Sequence, residues 1–577
     1  MKKRKLMALM LSSILAFSLV GCGGKDKKDD SSKGKTPASE TGEKKTGGTL
    51  ISGVKDMSGN FNPAYYSSVQ DGYVVDMVFD RLIVMDINGE YQPSAAESWE
   101  FSEDKKEITF KMKKDMTFSD GEKVTADDVV FTYKFMSDKT YTGRYGSVVK
   151  DLAGYEEYNK GDTKEFKGVV AVDENTVKFS FKEPLRTNLA NCDFPIMPEH
   201  YYGANWKVGD DTSTIAAITT KPMGSGPYTL EKFQEKEFAS LKRNPNYYGE
   251  GYKIQNVVCK IVTETTDMVE LTAKNVDLLE GVIEPKKINE AKAQDFLTFN
   301  SYDRSGYGYT KFNCESGPTA EKAVRQALYY SFNLKEFVNS FYKDEETGDV
   351  LASTQYHPFS QVSWNIDDKL LSELTQYDFD LEKAKSLLDE AGWKVGPSGF
   401  REKDGKVMEL NVAAMPDHAI LPTLIPMWER DWGEGLKIKL NVAYLEFNTL
   451  LDYIQYDSDA NVDKWSIYFM ATQITTPDPD TIYSEVHSSE VGSGKSNSSR
   501  YKNPEVDKLL DEAKGIIDKD EAKPKYKEIA KILNEDAPIV PVYANTYFDM
   551  YNKKVKDLKT SPFHNWVKGL KDAYIEE

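Results

Sequence analysis

From Ile108 to Phe135 the apolar positions change period, and the change predicts strand, turn and helix in succession. In ITFKMKKDMTF, Ile108, Phe110 and Met112 stand two apart and Met116 and Phe118 follow, the spacing of half-buried strands, with Asp120-Gly121 as the turn. In VTADDVVFTYKF the period lengthens: Thr125 is the expected N-cap and Asp128, three residues on, its acidic partner before an apolar run. The pattern recurs. DENTVKFSF predicts a turn and then a strand with Val177, Phe179 and Phe181 on one face. DLEKAKSLLDEAGW predicts a helix capped by Asp380, with Ala384, Leu387, Leu388 and Ala391 on one face and Gly392 as its stop. NPEVDKLLDEAKGII opens on Asn503 as cap and Pro504 at the first helical position. Strands and helices alternate from Gly48 to the end without a short repeat, which predicts an α/β or α+β protein of two lobes.

The first 48 residues break this pattern. Lys2, Lys3, Arg4 and Lys5 form a positive head, Leu6 to Val20 an apolar run and Gly21 a small residue at its end, the three parts of a secretory signal. The run is about 15 residues, short of the roughly 20 that a spanning helix needs. Leu19-Val20-Gly21-Cys22 resembles the lipobox of bacterial lipoproteins, in which the cysteine thiol takes a diacylglycerol and the chain is cut just before it. The resemblance implies a signal peptide over 1–21, a lipidated Cys22 as the mature N-terminus and a bilayer anchor; an ordinary signal beside a chance cysteine is the alternative. Residues 22–48 continue as a flexible linker, because Gly23 to Gly48 offers no large apolar side chain to bury. Its r.m.s. reach is on the order of 28 Å, which would hold the folded part just off a membrane.

Composition narrows the partners. A chain of 577 residues, 29% charged and 40% hydrophobic with mean hydropathy −0.57, is no multi-span membrane protein. The net charge of −19 repels phosphate backbones, so nucleic acid is not an expected partner. Loss of residues 1–21 removes four positive charges and makes the rest more acidic still. Cys192, Cys259 and Cys314 are odd in number and far apart, which predicts no disulfide framework and reads as buried small hydrophobes. Catalytic signals are missing. The five histidines, His200, His357, His418, His487 and His564, are scattered without an HExxH, and no metal site is expected. MGSGPY holds Ser225 directly between Gly224 and Gly226, but a nucleophile elbow needs its glycines two away, where Met223 and Pro227 stand. SEVGSGKS has Ser489 where a phosphate loop needs its first glycine. No cofactor and no enzymatic activity are expected.

The run VFDRLIVMDINGEYQPSAAESWEFSEDKKEITFKMKKDMTFSDGEKVTADDVVFTYKFM resembles the signature of the bacterial family 5 extracellular solute-binding proteins, the group that holds the oligopeptide- and dipeptide-binding proteins of ABC importers. The resemblance continues through PIMPEHYYG, GSGPYTL with LKRNPNYYGEG, FNCESGPTAEKAVRQALYYSFN, DLEKAKSLLDEAGW and YKNPEVDKLLDEA, in the family's order. It implies a two-lobed α/β fold like that of periplasmic binding proteins (type II, cluster C), with an extra subdomain inserted in the N-terminal lobe. Lobe I is then expected over 49–72, 190–298 and 541–577, the insertion over 73–189 and lobe II over 299–540. It also implies a monomeric receptor on the outer face of the cytoplasmic membrane. Such a receptor closes its lobes over a peptide-like solute and docks on a permease.

In such proteins an extended ligand pairs with protein strands. The strand WSIYFMATQITTPDPD should supply that edge here, through Met470, Ala471, Thr472, Gln473 and Thr475. Thr475 stands where peptide-binding relatives often place an aspartate for the ligand ammonium, so amine recognition is expected to move, with Asp478 as one place for it, or to be absent; a turn role for Asp478 is the competing reading. Tyr65 and Tyr66, after the first strand, and Tyr307, Tyr309 and Asn313, at the crossing into the second lobe, complete the expected lining. An oligosaccharide or metal chelate as solute, and a surface hydrolase or chaperone as function, remain the alternatives.

Overall fold

A computed structural model describes residues 46–576 apart from 417 and 419. The signal peptide, Cys22 and most of the linker lie outside the described residues.

The chain builds one long mixed sheet. Its principal strands are β1 (Gly47–Val54), β2 (Tyr228–Gln234), β3 (Phe238–Arg243), β4 (Ile254–Ile261), β5 (Leu278–Val282), β6 (Leu297–Asp303), β7 (Gly306–Phe312), β8 (Glu409–Ala414), β9 (Lys439–Tyr444), β10 (Ile467–Gln473) and β11 (Ile539–Asn552). They lie in the order β9-β8-β10-β7-β11-β5-β1-β4-β3-β2, with β6 also on β11. β11 is the seam. Its first part, Ile539 to Tyr543, pairs with β7, and its second, Thr546 to Asn552, pairs with β6.

The cores divide at the same seam. One set of buried apolar side chains comes from residues 50–299 and 548–575, joined by the partly buried Leu351. The other comes from residues 307–544. Two bodies with separate cores are therefore joined by the β6–β7 connection and by β11, a two-lobed α/β architecture. A four-stranded sheet (Ala96–Phe101, Glu107–Met112, Thr176–Ser180, Val169–Asp173) pairs with no strand of the long sheet, yet its Ile108, Phe110, Val177 and Phe179 share one continuous core with Leu50 and Val257 of the first body.

Local chemistry explains the helices. The helices used below are α1 (Val69–Val78), α2 (Ala126–Met136), α3 (Leu381–Glu390) and α4 (Pro504–Lys514). Asp128 accepts the Thr125 N–H at 2.9 Å, closing the start of α2. Asp380 accepts Lys383 N at 2.9 Å ahead of α3, and Gly392 follows it at φ +89°. Asn503 accepts Glu505 N at 2.9 Å ahead of Pro504. Met116 and Phe118 are buried but not in a strand: after Met112 the chain bends away, and only the bridge Thr117–Lys123 joins the two sides of the Asp120-Gly121 turn. Cys192 and Cys259 are buried free thiols, and Cys314 is a half-buried one.

Candidate functional site

The crossing between the bodies places chemistry on both sides of β11. Gly306 opens β7 at φ +152°, and a Cβ there would stand 2.2 Å from the Thr472 carbonyl, so only glycine lets β7 and β10 close at this point. Gly306 pairs with Gln473 and Tyr307 with Thr472. On its other edge β10 meets β8 only at Ile467 and Tyr468. From 469 to 473 that edge carries no strand among the described residues.

Arg304 locks this corner. Its guanidinium donates to Gln473 Oε1 (3.1 Å), the Thr472 carbonyl (2.9 Å) and Asn545 Oδ1 (3.4 Å), and it lies over the Tyr547 ring. Beside the end of β10 is a cavity of about 210 Å³ whose walls include Tyr307, Tyr309, Thr472, Gln473 and Thr475, together with Lys311 and Glu485. The strand period puts Tyr307, Tyr309 and Lys311 on one face of β7. The Tyr307 hydroxyl donates to the Pro358 carbonyl at 2.8 Å. Lys311 is buried, pairs with Glu485 and donates to Ser498 Oγ at 3.0 Å. Burial pulls its ammonium down, but the Glu485 carboxylate outweighs this and leaves the pKa raised.

Other expected lining residues sit elsewhere. Tyr65 packs on Tyr141 and Phe135, and Tyr66 on Tyr145, where the loop after β1 meets the segment containing α2; neither borders the cavities at the crossing. Asn313 is fully buried and spends both ends on backbone: Nδ2 donates to the Val462 and Trp465 carbonyls, and Oδ1 accepts from Glu315 and Ser316 N–H. It pins a turn. Met470 packs beside Trp465 and Tyr468, and Ala471 is exposed on the open edge. Asp478 caps the short 3-10 turn at Asp480 N (3.0 Å), and its two oxygens take Arg186 Nε at 2.6 Å and Nη2 at 2.9 Å. Both of its oxygens are thus engaged by Arg186 and the turn.

On the first body's side, a cavity of about 240 Å³ is bounded by the end of β1, α1, β5 and Trp566. Glu280 lines it; Lys55 and Lys287 on its wall are tied to Glu264 and Asp267. Sequence reasoning passed over Lys311, although its place two beyond Tyr309 marked it. It also passed over Arg186, Arg304, Glu280 and Asp549, which no motif marks.

Comparison with known proteins settles the family. The model of bacterial extracellular solute-binding proteins, family 5 (middle region), matches residues 90–494. The chain belongs to this family. It is 27% identical over 555 residues, 94% of each chain, to the oligopeptide-binding protein AppA of Bacillus subtilis. It is 28% identical over 499 residues to the heme-binding protein A of Haemophilus influenzae, covering 84% of this chain and 85% of that one. The solved structure of B. subtilis AppA in complex with a nonapeptide superposes with TM-score 0.73 at 23% identity, over 93% of this chain and 100% of that one, which shows the shared fold. Among the described residues no helix is long and apolar enough to cross a membrane.

Proposed function

We propose that this family 5 protein is a lipid-anchored receptor that captures a peptide or peptide-like solute between its lobes, without turnover, and delivers it as a monomer to an ABC permease. The open edge of β10 from 469 to 473, beside a cavity of the second body next to the β6–β7 crossing, carries the reading. An extended peptide gains main-chain hydrogen bonds along such an edge, which gives affinity with little dependence on sequence. The names of the peptide-binding relatives support the solute class. Cys22, outside the described residues, supplies the anchor to the outer face of the cytoplasmic membrane.

Native mass spectrometry of the chain expressed without residues 1–22 tests the solute. A heterogeneous set of peptide masses released on mild activation is the expected result. A hexose-spaced, haem or metal-containing mass, or an empty protein that no peptide mixture fills, would overturn the peptide assignment.

A further inference from the structure

Two carboxylates at the crossing have no counter-charge. Glu280 stands on β5 and Asp549 on β11, which pair antiparallel, and Gly281 N donates to Asp549 Oδ1 at 2.8 Å, bringing that carboxylate against the backbone next to Glu280. Glu280 accepts from the Tyr73 hydroxyl and, at 3.4 Å, from Trp566 N. Asp549 is fully buried. Its Oδ1 also faces Tyr302 OH at 3.4 Å, while Oδ2 makes no hydrogen bond of normal geometry, with the Thr560 hydroxyl close by but not aligned.

Among the described residues no lysine, arginine or histidine pairs with either group. The nearby cations are committed: Lys55 and Lys287 to Glu264 and Asp267, Lys554 to Asp277, and Arg304 to Thr472, Gln473 and Asn545. The groups facing the pair are phenols and neutral donors: Tyr73 from α1, Tyr302 from β6, Tyr547 and Tyr551 from β11, and the Gly281 and Trp566 N–H. Burial, together with repulsion from Asp549, pushes the Glu280 carboxyl up, and burial pushes Asp549 up. A carboxylate pair with one member buried, the other half-buried and no cation beside either is costly, which singles it out as a functional feature. Glu280 opens into the cavity of about 240 Å³, whose wall carries four carboxylates (Glu264, Asp267, Glu280, Glu284) against the two ammoniums of Lys55 and Lys287.

We propose that Glu280, backed by Asp549, is the subsite for an ammonium group of the solute, whether a peptide N-terminus or a lysine side chain, replacing the aspartate that Thr475 does not supply. This rests on the peptide-capture reading. An entering ammonium donates charge-assisted hydrogen bonds to Glu280 and sits beside the Tyr73 and Trp566 rings, which pack 5.4 Å apart. Asp549 acts through the field it adds from beneath.

The test compares tetra-alanine, its N-acetylated form, and an N-acetylated form carrying one lysine, on the wild type, E280Q and D549N, with folding checked by circular dichroism. Tetra-alanine is expected to bind the wild type about tenfold or more tighter than its acetylated form. That gap should vanish in E280Q and shrink in D549N. Recovery by the lysine peptide assigns the side chain as a second source of ammonium, and no recovery assigns the N-terminus alone. Wild-type affinity for tetra-alanine should fall as the pH drops from about 8 to about 5.5, and E280Q should lose most of that fall. A gap that persists in E280Q overturns the subsite. Thermal protection by n-butylammonium against butyramide separates this from the peptide reading. If no peptide binds but butylammonium protects the wild type and not E280Q, the subsite stands and peptide capture falls. Equal protection of both proteins, or of neither, overturns the subsite.

Discussion

Arg186 shows how much a single side chain carries here. All five of its N–H donors are used: Nε and Nη2 on the Asp478 oxygens, Nη2 again on Tyr526 OH (2.9 Å), and Nη1 on the carbonyls of Ala513 (3.1 Å) and Ile516 (2.8 Å) just beyond or at the end of α4. The guanidinium also lies over the rings of Trp364 and Tyr526 at 5.3 Å. Only the planar fork of arginine fits this arrangement, so Arg186→Lys should rescue little. Truncation leaves Asp478 charged and largely buried, and removing one partner of such a pair costs about 3–5 kcal/mol. Arg186→Ala and Asp478→Ala should each lower unfolding stability by that order, and the double variant by clearly less than their sum, because they remove one shared interaction. Chemical denaturation of the four proteins measures it; additive losses would show that the pair is not coupled.

At the scale of elements, the crossing depends on Gly306. A side chain there meets the Thr472 carbonyl at 2.2 Å on backbone held at φ +152°, so Gly306→Ala is expected to cost about 2 kcal/mol or more through strain and overpacking. Hydrogen exchange should speed up across β7 and β10 and leave β3 and β4 unchanged; uniform exchange would place the effect elsewhere. This corner also shows what the sequence makes legible. Local signals were readable because a few neighbouring residues determine them: Asp380, Asn503 and the Thr125–Asp128 pair cap helices wherever their chain goes. Tyr307 and Tyr309, expected from their place at the crossing, do line the cavity, because strand alternation holds both on one face of β7. Asn313, next along the chain, looks equally polar and available, but partners some 150 positions away, at Val462 and Trp465, take up its amide. Tyr65 and Tyr66 are absorbed in the same way by Tyr141 and Tyr145. Asp478, Glu280 and Asp549 take their meaning from Arg186, from each other and from cations that are absent, none of which a local pattern encodes.

At the scale of the molecule, the two separate cores mean that the lobes can move against each other without either being repacked, since only the β6–β7 connection and β11 run between them. Arg186 lies between Phe181 and Leu189, which pack in the core of the first lobe, while Trp364, Ile516 and Tyr526 belong to the second. Its clasp is therefore a contact between lobes, and it can exist only where they approach. A two-state equilibrium responds to such a contact by the free energy the contact adds to one state alone. Every 1.4 kcal/mol lost from the approached state shifts the ratio about tenfold toward the parted one. Solution scattering on protein stripped of solute by unfolding and refolding should show a larger radius of gyration for Arg186→Ala than for the wild type, with a saturating solute narrowing the difference. Because the clasp holds only the approached state, its loss should speed the parting that lets solute leave, raising the solute dissociation rate and leaving association nearly unchanged. Equal radii with equal dissociation rates would mean that Arg186 does not bias the closure, and it would then be a determinant of stability alone.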